Sequence, residues 1–365
     1  MSTQRPKPES RRDVLKYFGL LAGAAALPAS LRAFGTQMGF SSRLGPALSA
    51  LPMDMAEATP LAAASLSPHR VALVKTTDRA AGVRQAIALL NPPSFSGKTV
   101  FIKPNYNTGD PAPASTDPVV LETLVQEIQQ AGATAITVGD RSGMAATRAA
   151  MTQQQVFALA ERYGFNALVF DDLGRDDWQY FEAAGTNWSQ GFAIARPILN
   201  ADAIVNVCCL KTHRFGGHFT LSLKNSIGMV ARRVPGDGHD YMRELHRSAN
   251  QRLMIAEVNR AYRPALVVVD GVDAFVGGGP EQGQKVRAGV MLASTDRIAI
   301  DAIGIALLRK LGTTRDVSSG SIWQQAQIRR AADLGLGATQ PAQIELVTAD
   351  GASAQMADEI RQFLT

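Results

Sequence analysis

Cysteine is scarce in this 365-residue chain, which contains only Cys208 and Cys209. Two adjacent cysteines exclude a disulfide framework, a cysteine-rich cluster and a zinc knuckle. Both lie in an apolar, β-branched run that is typical of a buried strand. Neighbouring residues of a strand point to opposite faces, so we expect two small buried side chains, of which at most one faces a site.

Three motifs of common enzyme classes are also missing. The chain has no Gly-x-Ser-x-Gly elbow, no Gly-x-x-x-x-Gly-Lys-Ser/Thr loop, and no Gly-x-Gly-x-x-Gly after its first predicted strand. These motifs present the nucleophile of many hydrolases, the phosphates of nucleotides and the pyrophosphate of dinucleotides. The sequence therefore gives no support to these three functions.

The net positive charge is small once the first residues are set aside. The net charge is +5, and residues 1–33 contain six basic and two acidic side chains, which accounts for +4 and leaves +1 for the rest. No basic tract or aromatic ladder is present to follow a phosphate backbone, so we do not expect a nucleic-acid partner. At 46% hydrophobic residues, the chain can bury a large core and is not intrinsically disordered.

The first residues resemble a twin-arginine export signal. Arg11 and Arg12 precede an apolar run at 17–28, which is too short to span a membrane, and small residues follow it. We therefore expect a signal peptide at 1–33, a linker or arm at 34–68 and one α/β domain at 69–365. The mature protein would be periplasmic, with the twin-arginine export machinery as a partner and no stable membrane span. A cytoplasmic protein with a short amphipathic start is the alternative.

The body alternates apolar strand-like runs with segments of helical periodicity. This order predicts an α/β fold, a wound, mainly parallel sheet flanked by helices, with a smaller irregular β-containing insertion at 178–197. Asp117 before Pro118, and Asp296, are predicted to cap helices. The predicted strands are 71–75, 98–103, 135–139, 167–170, 202–209, 265–269, 290–294 and 343–347. The predicted helices are 79–90, one from 118, 152–163, 241–262, 296–311 and 354–364.

Polar side chains occur where several predicted strands end, and the carboxyl ends of parallel strands meet at the edge where ligands bind in such sheets. The lysines supply positive charge and the asparagines supply orienting amides, which suits a carboxylate or a phosphate. The candidate catalytic residues are Lys211, His213 and Lys224. The candidate ligand-binding residues are Lys103, Asn105, Asp140, Asn225, Asp270, Gly278 and Gly279. We expect one pocket that binds a small anionic ligand, with proton transfer as the chemistry if the protein is an enzyme.

Other interpretations of the same residues remain open. His213 and His218, with His239 downstream, could hold a metal through neutral imidazoles, although their spacing is not a metal signature. Each strand-end residue could instead cap or fix a loop, and residues 277–280 could form an ordinary turn rather than present N–H groups to an anion. Asp301 lies in an apolar helix, where a buried carboxylate would need a partner.

The residues at 71–311 resemble those of the domain of unknown function 362 family. The resemblance lies in Lys103-Pro104-Asn105, Lys211-Thr212-His213, Ser222-Leu223-Lys224-Asn225 with Gly228, Asp270-Gly271, Gly279-Pro280 and the 296–301 segment. This family resemblance implies no general activity for the protein. Some relatives carry a ferredoxin-like iron–sulfur module, whose cysteines are missing here, so we expect no iron–sulfur cluster.

A weaker similarity is to the nickel-pincer lactate racemase family. Residues 212–218 with Lys224 downstream look similar to its histidine, Gly-Gly pair and cofactor-bearing lysine, but the lysine is displaced and the upstream histidine motif is not evident. That similarity implies a racemase or epimerase, with a covalent organic cofactor on Lys224 or Lys211 and nickel at His213 or His218. A non-catalytic binding or partner-interaction protein is a third alternative.

Overall fold

The structure, a computed structural model, describes residues 68–364. The centre of the fold is a nine-stranded sheet. The predicted leader and nearly all of the predicted linker lie outside the described residues. The strands are β1 (His69–Lys75), β2 (Thr99–Lys103), β3 (Ala135–Asp140), β4 (Asn166–Val169), β5 (Trp178–Phe181), β6 (Phe192–Ala195), β7 (Ala203–His213), β8 (His218–Thr220), β9 (Leu266–Gly278), β10 (Gly283–Ser294) and β11 (Ile344–Val347).

Helices cover both faces of this sheet. They are α1 (Arg79–Leu90), α2 (Pro118–Gln130), α3 (Thr147–Gln153), α4 (Val156–Tyr163), α5 (Arg196–Leu199), α6 (Ser222–Asn225), α7 (Tyr241–Arg247), α8 (Gln251–Val258), α9 (Arg297–Lys310), α10 (Arg315–Ser318), α11 (Ala326–Asp333) and α12 (Gly351–Arg361). No helix in the 68–364 range is long and apolar enough to cross a membrane.

The sheet is mixed and mostly parallel. Its order is β11-β1-β10-β9-β7-β2-β3-β4, and β8 pairs with β7 beyond the end of β2. Strands β9, β7, β2, β3 and β4 pair in parallel, whereas β10 runs antiparallel to both β1 and β9. A separate antiparallel pair, β5 and β6, forms the small insertion. The predicted α/β fold class is confirmed.

Two hydrophobic layers pack on opposite faces of the sheet, and the alternation along β7 shows the division. Ile204, Cys208 and Leu210 belong to one layer, and Val205 and Val207 to the other. Both cysteines are free and fully buried, as the sequence predicts. Burial raises the pKa of each thiol, so neither is a reactive thiolate.

The predicted helix starts are confirmed by their capping bonds. The Asp117 carboxylate accepts from the Val119 N–H at 2.9 Å, and Pro118 occupies the first turn, where its missing N–H costs nothing. The Asp296 carboxylate accepts from the N–H groups of Ile298 and Ala299 at 2.8 and 2.7 Å. These contacts are local in sequence, which is why short motifs predict them.

Two predicted helices are broken. The 152–163 segment contains the end of α3 and all of α4, because Gln155 adopts a left-handed conformation with φ of 61°. The 241–262 segment contains α7 and α8, because Ser248 is extended at the end of α7. Side-chain periodicity continues through both breaks, so it cannot reveal them.

Strands β7 and β9 extend well beyond their predicted ends, which corrects the expected position of several candidates. β7 continues to His213 because β8 pairs with its last residues, and β9 continues to Gly278 because β10 pairs with it. Lys211, His213 and Asp270 therefore lie within strands rather than after them.

Candidate functional site

The site lies where β7 extends beyond β2. On the edge of β7 opposite β9, β2 pairs with residues 203–206 and β8 pairs with residues 211–213, which leaves a gap between them. Helix α6 lies at this gap, and Asn225 Nδ2 donates to Val207 O at 3.0 Å and to Asn206 Oδ1 at 2.7 Å. Asn225 thus satisfies strand groups that a neighbouring strand would otherwise bond.

Lys103 at the end of β2 forms a buried ion pair with Asp140 at the end of β3. The Lys103 ammonium lies 2.7 Å from Asp140 Oδ1 and donates to Pro104 O at 2.6 Å. The Asp140 carboxylate also accepts from the backbone N–H groups of Tyr106 and Arg141, each at 2.7 Å. Burial lowers the pKa of Lys103, and the Asp140 charge opposes that shift. Burial raises the pKa of Asp140, but the Lys103 charge and the two N–H bonds oppose that shift. These three donors favour the carboxylate that neutralises Lys103.

Gly228 allows the chain to close over this ion pair. A Cβ at Gly228 would lie 2.5 Å from Asp140 Oδ1 and 2.7 Å from Lys103 Nζ. Any side chain here would displace one of the two charged groups, which gives a physical reason for glycine at this position.

A second group of buried cations lies beside the first, and we call Arg141, Lys211 and Lys224 the cationic cluster. Arg141 is bound by backbone carbonyls of Ser142, Ile227 and Val230, and the Lys211 ammonium donates to Ala114 O. Within residues 68–364, none of the three forms an ion pair with a carboxylate. This arrangement differs from that of Lys103, whose charge is balanced.

Lys224 is the most unusual member of the cationic cluster. Its side chain is 8% exposed, and its ammonium has no hydrogen-bond or ion-pair partner among the described residues. Burial, and then the charges of Lys211 and Arg141, lower its pKa from 10.5 to about 7. The charge of Lys224 thus changes near neutral pH.

His213 lies beside Lys224 at the turn between β7 and β8. A Cβ at Gly217 would lie 2.5 Å from Lys224 Cε and 3.2 Å from His213 Nδ1, so both side chains pack over this glycine. The His213 Nδ1 accepts from the Phe215 N–H at 3.3 Å, which leaves the ring proton on Nε2. Burial and the charges of Lys224 and Lys211 hold the pKa of His213 well below its usual value. His213 is therefore a neutral hydrogen-bond donor through Nε2.

Unpartnered hydroxyl groups lie next to the cluster. Thr220 is directly opposite Lys211 in the β7–β8 pairing, so the two side chains share a face. Its Oγ1 is buried without a hydrogen-bond partner in the described chain. In the loop after β2, the same holds for Asn105 Oδ1 and the Tyr106 hydroxyl. Buried polar atoms are almost always bonded, so these atoms mark a place where a ligand could bind.

Asp301 in α9 holds α6 in place. It is fully buried, and its two carboxylate oxygens accept from the N–H groups of Ser222 and Leu223 at 2.8 and 3.0 Å. Burial raises the pKa of Asp301 to about 7, while these two bonds oppose the shift. The partner that a buried carboxylate needs here is the backbone at the start of α6, which positions Lys224 and Asn225.

Strand alternation separates two of the predicted ligand-binding lysines. Lys103 pairs with Asn206, and that face of β7 continues through Cys208 and Leu210. Lys211 follows Leu210 and so points to the other face. The expected single pocket shared by Lys103 and Lys211 is therefore wrong. The structure instead has a neutral pair and a cationic cluster next to each other.

Asp270 belongs to a different group of charges. Its carboxylate is 2.7 Å from Arg79 Nε at the start of α1, and Arg79 also contacts Asp273 at 3.2 Å and Asp117 at 3.5 Å. Asp270 also accepts from the Val272 N–H at 3.0 Å. It therefore anchors α1 to β9 and lies apart from Lys224.

The glycines at 278 and 279 serve the β9–β10 hairpin. The Gly279 N–H donates to Gln282 O at 2.7 Å, so it is not free for an anion. A Cβ at Gly279 would lie 2.0 Å from Thr212 O, and the residue has φ of +67°. Glycine is needed here because the hairpin passes against β7.

The metal alternative gains no support from the described residues. They contain no group of three or more His, Cys, Asp or Glu side chains arranged to hold a metal. His213 and His218 face each other across β7 and β8, but His213 Nδ1 accepts a backbone N–H and His218 Nε2 lies 2.7 Å from Arg252. His239 contacts Glu244 at 2.7 Å, in another part of the fold.

Surface shape alone points to a different place. A cleft of about 320 Å³ is lined by Phe170, Asp171, Leu173, Arg232, Arg233 and Pro235. Arg233 there is 59% exposed and pairs with Asp240 at 2.9 Å. Exposed ion pairs contribute little energy. The residues of the cationic cluster are buried and form no ion pair with a carboxylate within residues 68–364. We therefore favour the cluster as the functional site.

Arg141 and Thr220 complete the site but were not among the predicted residues. Arg141 follows Asp140 directly at a strand end, and that position was the only sequence signal for it. Thr220 gave no signal, because its place opposite Lys211 depends on the β8 pairing.

Comparison with known proteins places this site within a family. Residues 100–306 match the family described as domain of unknown function (DUF362), which is more than half of the chain. The chain belongs to the DUF362 family. The matched range contains the Lys103–Asp140 pair and the whole cationic cluster.

Two further similarities concern single proteins. The thylakoid-associated protein sll1697 of Synechocystis sp. is 26% identical over 210 residues, which is 57% of this chain and 62% of that relative. The chain thus matches less than two thirds of the relative's length. The lactate racemase apoprotein from Thermoanaerobacterium thermosaccharolyticum is 12% identical with a TM-score of 0.39, covering 81% of this chain and 86% of that chain.

Proposed function

We propose that this protein binds a small anionic ligand at the cationic cluster. The observation that carries the proposal is Lys224, a residue only 8% exposed whose ammonium lies near two other cations and has no partner in the described chain. Burying an unpaired charge costs several kcal/mol, and a bound carboxylate or phosphate would offset that cost.

The neighbouring groups suit the oxygen atoms of such a ligand. Lys211 uses one ammonium hydrogen on Ala114 O and keeps two donors. Thr220 Oγ1 and His213 Nε2 add uncharged donors on the same face of the β7–β8 pair. The small exposed area of Lys224 favours a small ligand over a polymer or a protein surface.

Proton transfer at the bound ligand is the chemistry that this arrangement fits. With a pKa of about 7, Lys224 can accept a proton from a carbon next to a carboxylate at neutral pH. His213 keeps its ring proton and can orient a ligand oxygen. A site that only binds would use Lys224 in its charged form, so hydrogen–deuterium exchange at the carbon next to the carboxylate of lactate separates the two roles.

Substituting Lys224 should weaken anion binding. We expect Lys224→Gln to raise the Kd by about tenfold to a hundredfold, because one charge-assisted hydrogen bond is lost. Isothermal titration calorimetry with lactate, pyruvate and phosphate at pH 6 measures this change. Lys75→Gln is the matched control, since Lys75 is an exposed residue at the end of β1. Equal affinity of folded Lys224→Gln and wild-type protein for every bound anion would contradict the proposal.

We also propose that the protein is exported through the twin-arginine pathway and acts in the periplasm. Arg11 and Arg12 with the apolar run at 17–28 support this proposal. Residues 1–34 fused to a reporter that is active only after export should give a signal. We expect Arg11→Lys together with Arg12→Lys to abolish it, and an unchanged signal would refute this pathway.

A further inference from the structure

Lys224 is placed to react as well as to bind. Its amine is free of partners in the described chain, the residue as a whole is only 8% exposed, and it is flanked by the cations Lys211 and Arg141. A lysine in such surroundings holds much of its amine unprotonated and acts as a nucleophile towards carbonyl carbon.

We propose that Lys224 forms an imine with the carbonyl carbon of a small oxo acid whose carboxylate is bound by Lys211. The inference rests on the proposed anion site and adds the class of ligand. Lys211 lies within electrostatic range of Lys224, and its two spare ammonium hydrogens suit a carboxylate. Thr220 Oγ1, opposite Lys211, is 4% exposed and unpartnered among residues 68–364, and it can donate to the same carboxylate.

The reaction balances without an oxidant or a reductant. The Lys224 nitrogen lone pair attacks the carbonyl carbon, a C–N bond forms, and the C=O π electrons move to oxygen. A proton passes from nitrogen to that oxygen and gives a carbinolamine. The hydroxyl then takes a proton from solvent and leaves as water, while the nitrogen lone pair forms the C=N bond of an iminium. The iminium returns its N–H proton to solvent and gives the imine. The products are one imine and one water molecule.

The other lysines of the site are less suited to this step. The Lys211 ammonium is fully buried and bonded to Ala114 O, and Lys103 is paired with Asp140. An exposed lysine such as Lys75 is instead surrounded by water. At pH 7 the unprotonated fraction of Lys224 is roughly a thousandfold larger than that of an ordinary lysine.

Reductive trapping tests the proposal on the full-length protein. Pyruvate is added at pH 7 with sodium cyanoborohydride, which reduces an iminium to a stable secondary amine, and peptide mapping by mass spectrometry locates the adduct. We expect at least about tenfold more adduct at Lys224 than at Lys75. Lys224→Arg should lose the adduct, and Lys75→Arg should keep it. Adduct formation should be inhibited by lactate, which has the carboxylate but no carbonyl.

The outcomes separate this inference from the proposed anion site. Binding of both lactate and pyruvate without an adduct at Lys224 would overturn the imine and leave the anion site standing. Binding of neither, with no adduct, would overturn both. Adduct spread evenly over Lys75 and Lys224 would also overturn the imine. The site assignment comes from wild-type protein, so it holds even if Lys224→Arg fails to fold.

Discussion

Replacing Asp140 by alanine should lower the free energy of unfolding by about 3–5 kcal/mol, because it leaves a buried ammonium without its counter-charge. Lys103 is 1% exposed, and Asp140 is the carboxylate that balances it. The substitution also leaves the Tyr106 and Arg141 N–H groups without their acceptor. Denaturant unfolding followed by circular dichroism measures the loss.

Two variants show whether burial is the cause. Asp172 forms an ion pair with Arg148 on the surface, with side chains 56% and 63% exposed, so Asp172→Ala should cost about 1 kcal/mol or less. Replacing both Lys103 by Met and Asp140 by Leu removes the charges together and should recover much of the stability lost in Asp140→Ala. If Asp140→Ala lowers the free energy of unfolding no more than Asp172→Ala does, the buried Lys103–Asp140 pair is not important for stability.

The sequence predicts the parts of the fold that depend on local contacts. The cap at Asp117 with Pro118 and the cap at Asp296 are each made by residues close in sequence. The lengths of β7 and β9 could not be predicted, because pairing with β8 and β10 decides where those strands end. Apolar periodicity shows that a strand exists, whereas its partners set its last residue.

The sequence likewise predicts only part of the candidate site. The rule that ligands bind at the carboxyl edge of such sheets identified the segment that carries Lys211, His213 and Lys224. It could not show that Asp270 is bound by Arg79, which lies 191 residues away in sequence. Nor could it show which lysine is neutralised. That Lys224 has no counter-charge among residues 68–364 depends on three-dimensional packing, which the sequence does not show.

The pH dependence of stability should report the state of Lys224 directly. Its pKa is about 7 in the folded protein and 10.5 in its ordinary state, so between these values the unfolded chain binds more protons than the folded one. Folding stability therefore rises with pH in this window and is lost as pH falls towards 7. Where the unfolded chain binds one proton more than the folded one, the free energy of unfolding changes by about 1.4 kcal/mol per pH unit.

Comparison with Lys224→Met separates the contribution of Lys224 to the pH dependence of stability from the contributions of other buried groups. Between pH 7.5 and 9.5 we expect the stability of the wild-type protein to rise by roughly 2–3 kcal/mol more than that of Lys224→Met. Urea unfolding at several pH values measures both slopes. Lys75→Met changes an exposed lysine outside the cationic cluster and is the control, so it should not reproduce the loss of slope expected for Lys224→Met.

A bound anion should remove the effect. An anion next to Lys224 stabilises its charged form and raises its folded pKa towards 10.5, so wild-type protein saturated with phosphate should lose the extra slope. Phosphate should leave the slope of Lys224→Met unchanged. A wild-type slope equal to that of Lys224→Met without any anion would mean that Lys224 is already charged and paired. The unpaired ammonium on which the proposed site depends would then be ruled out.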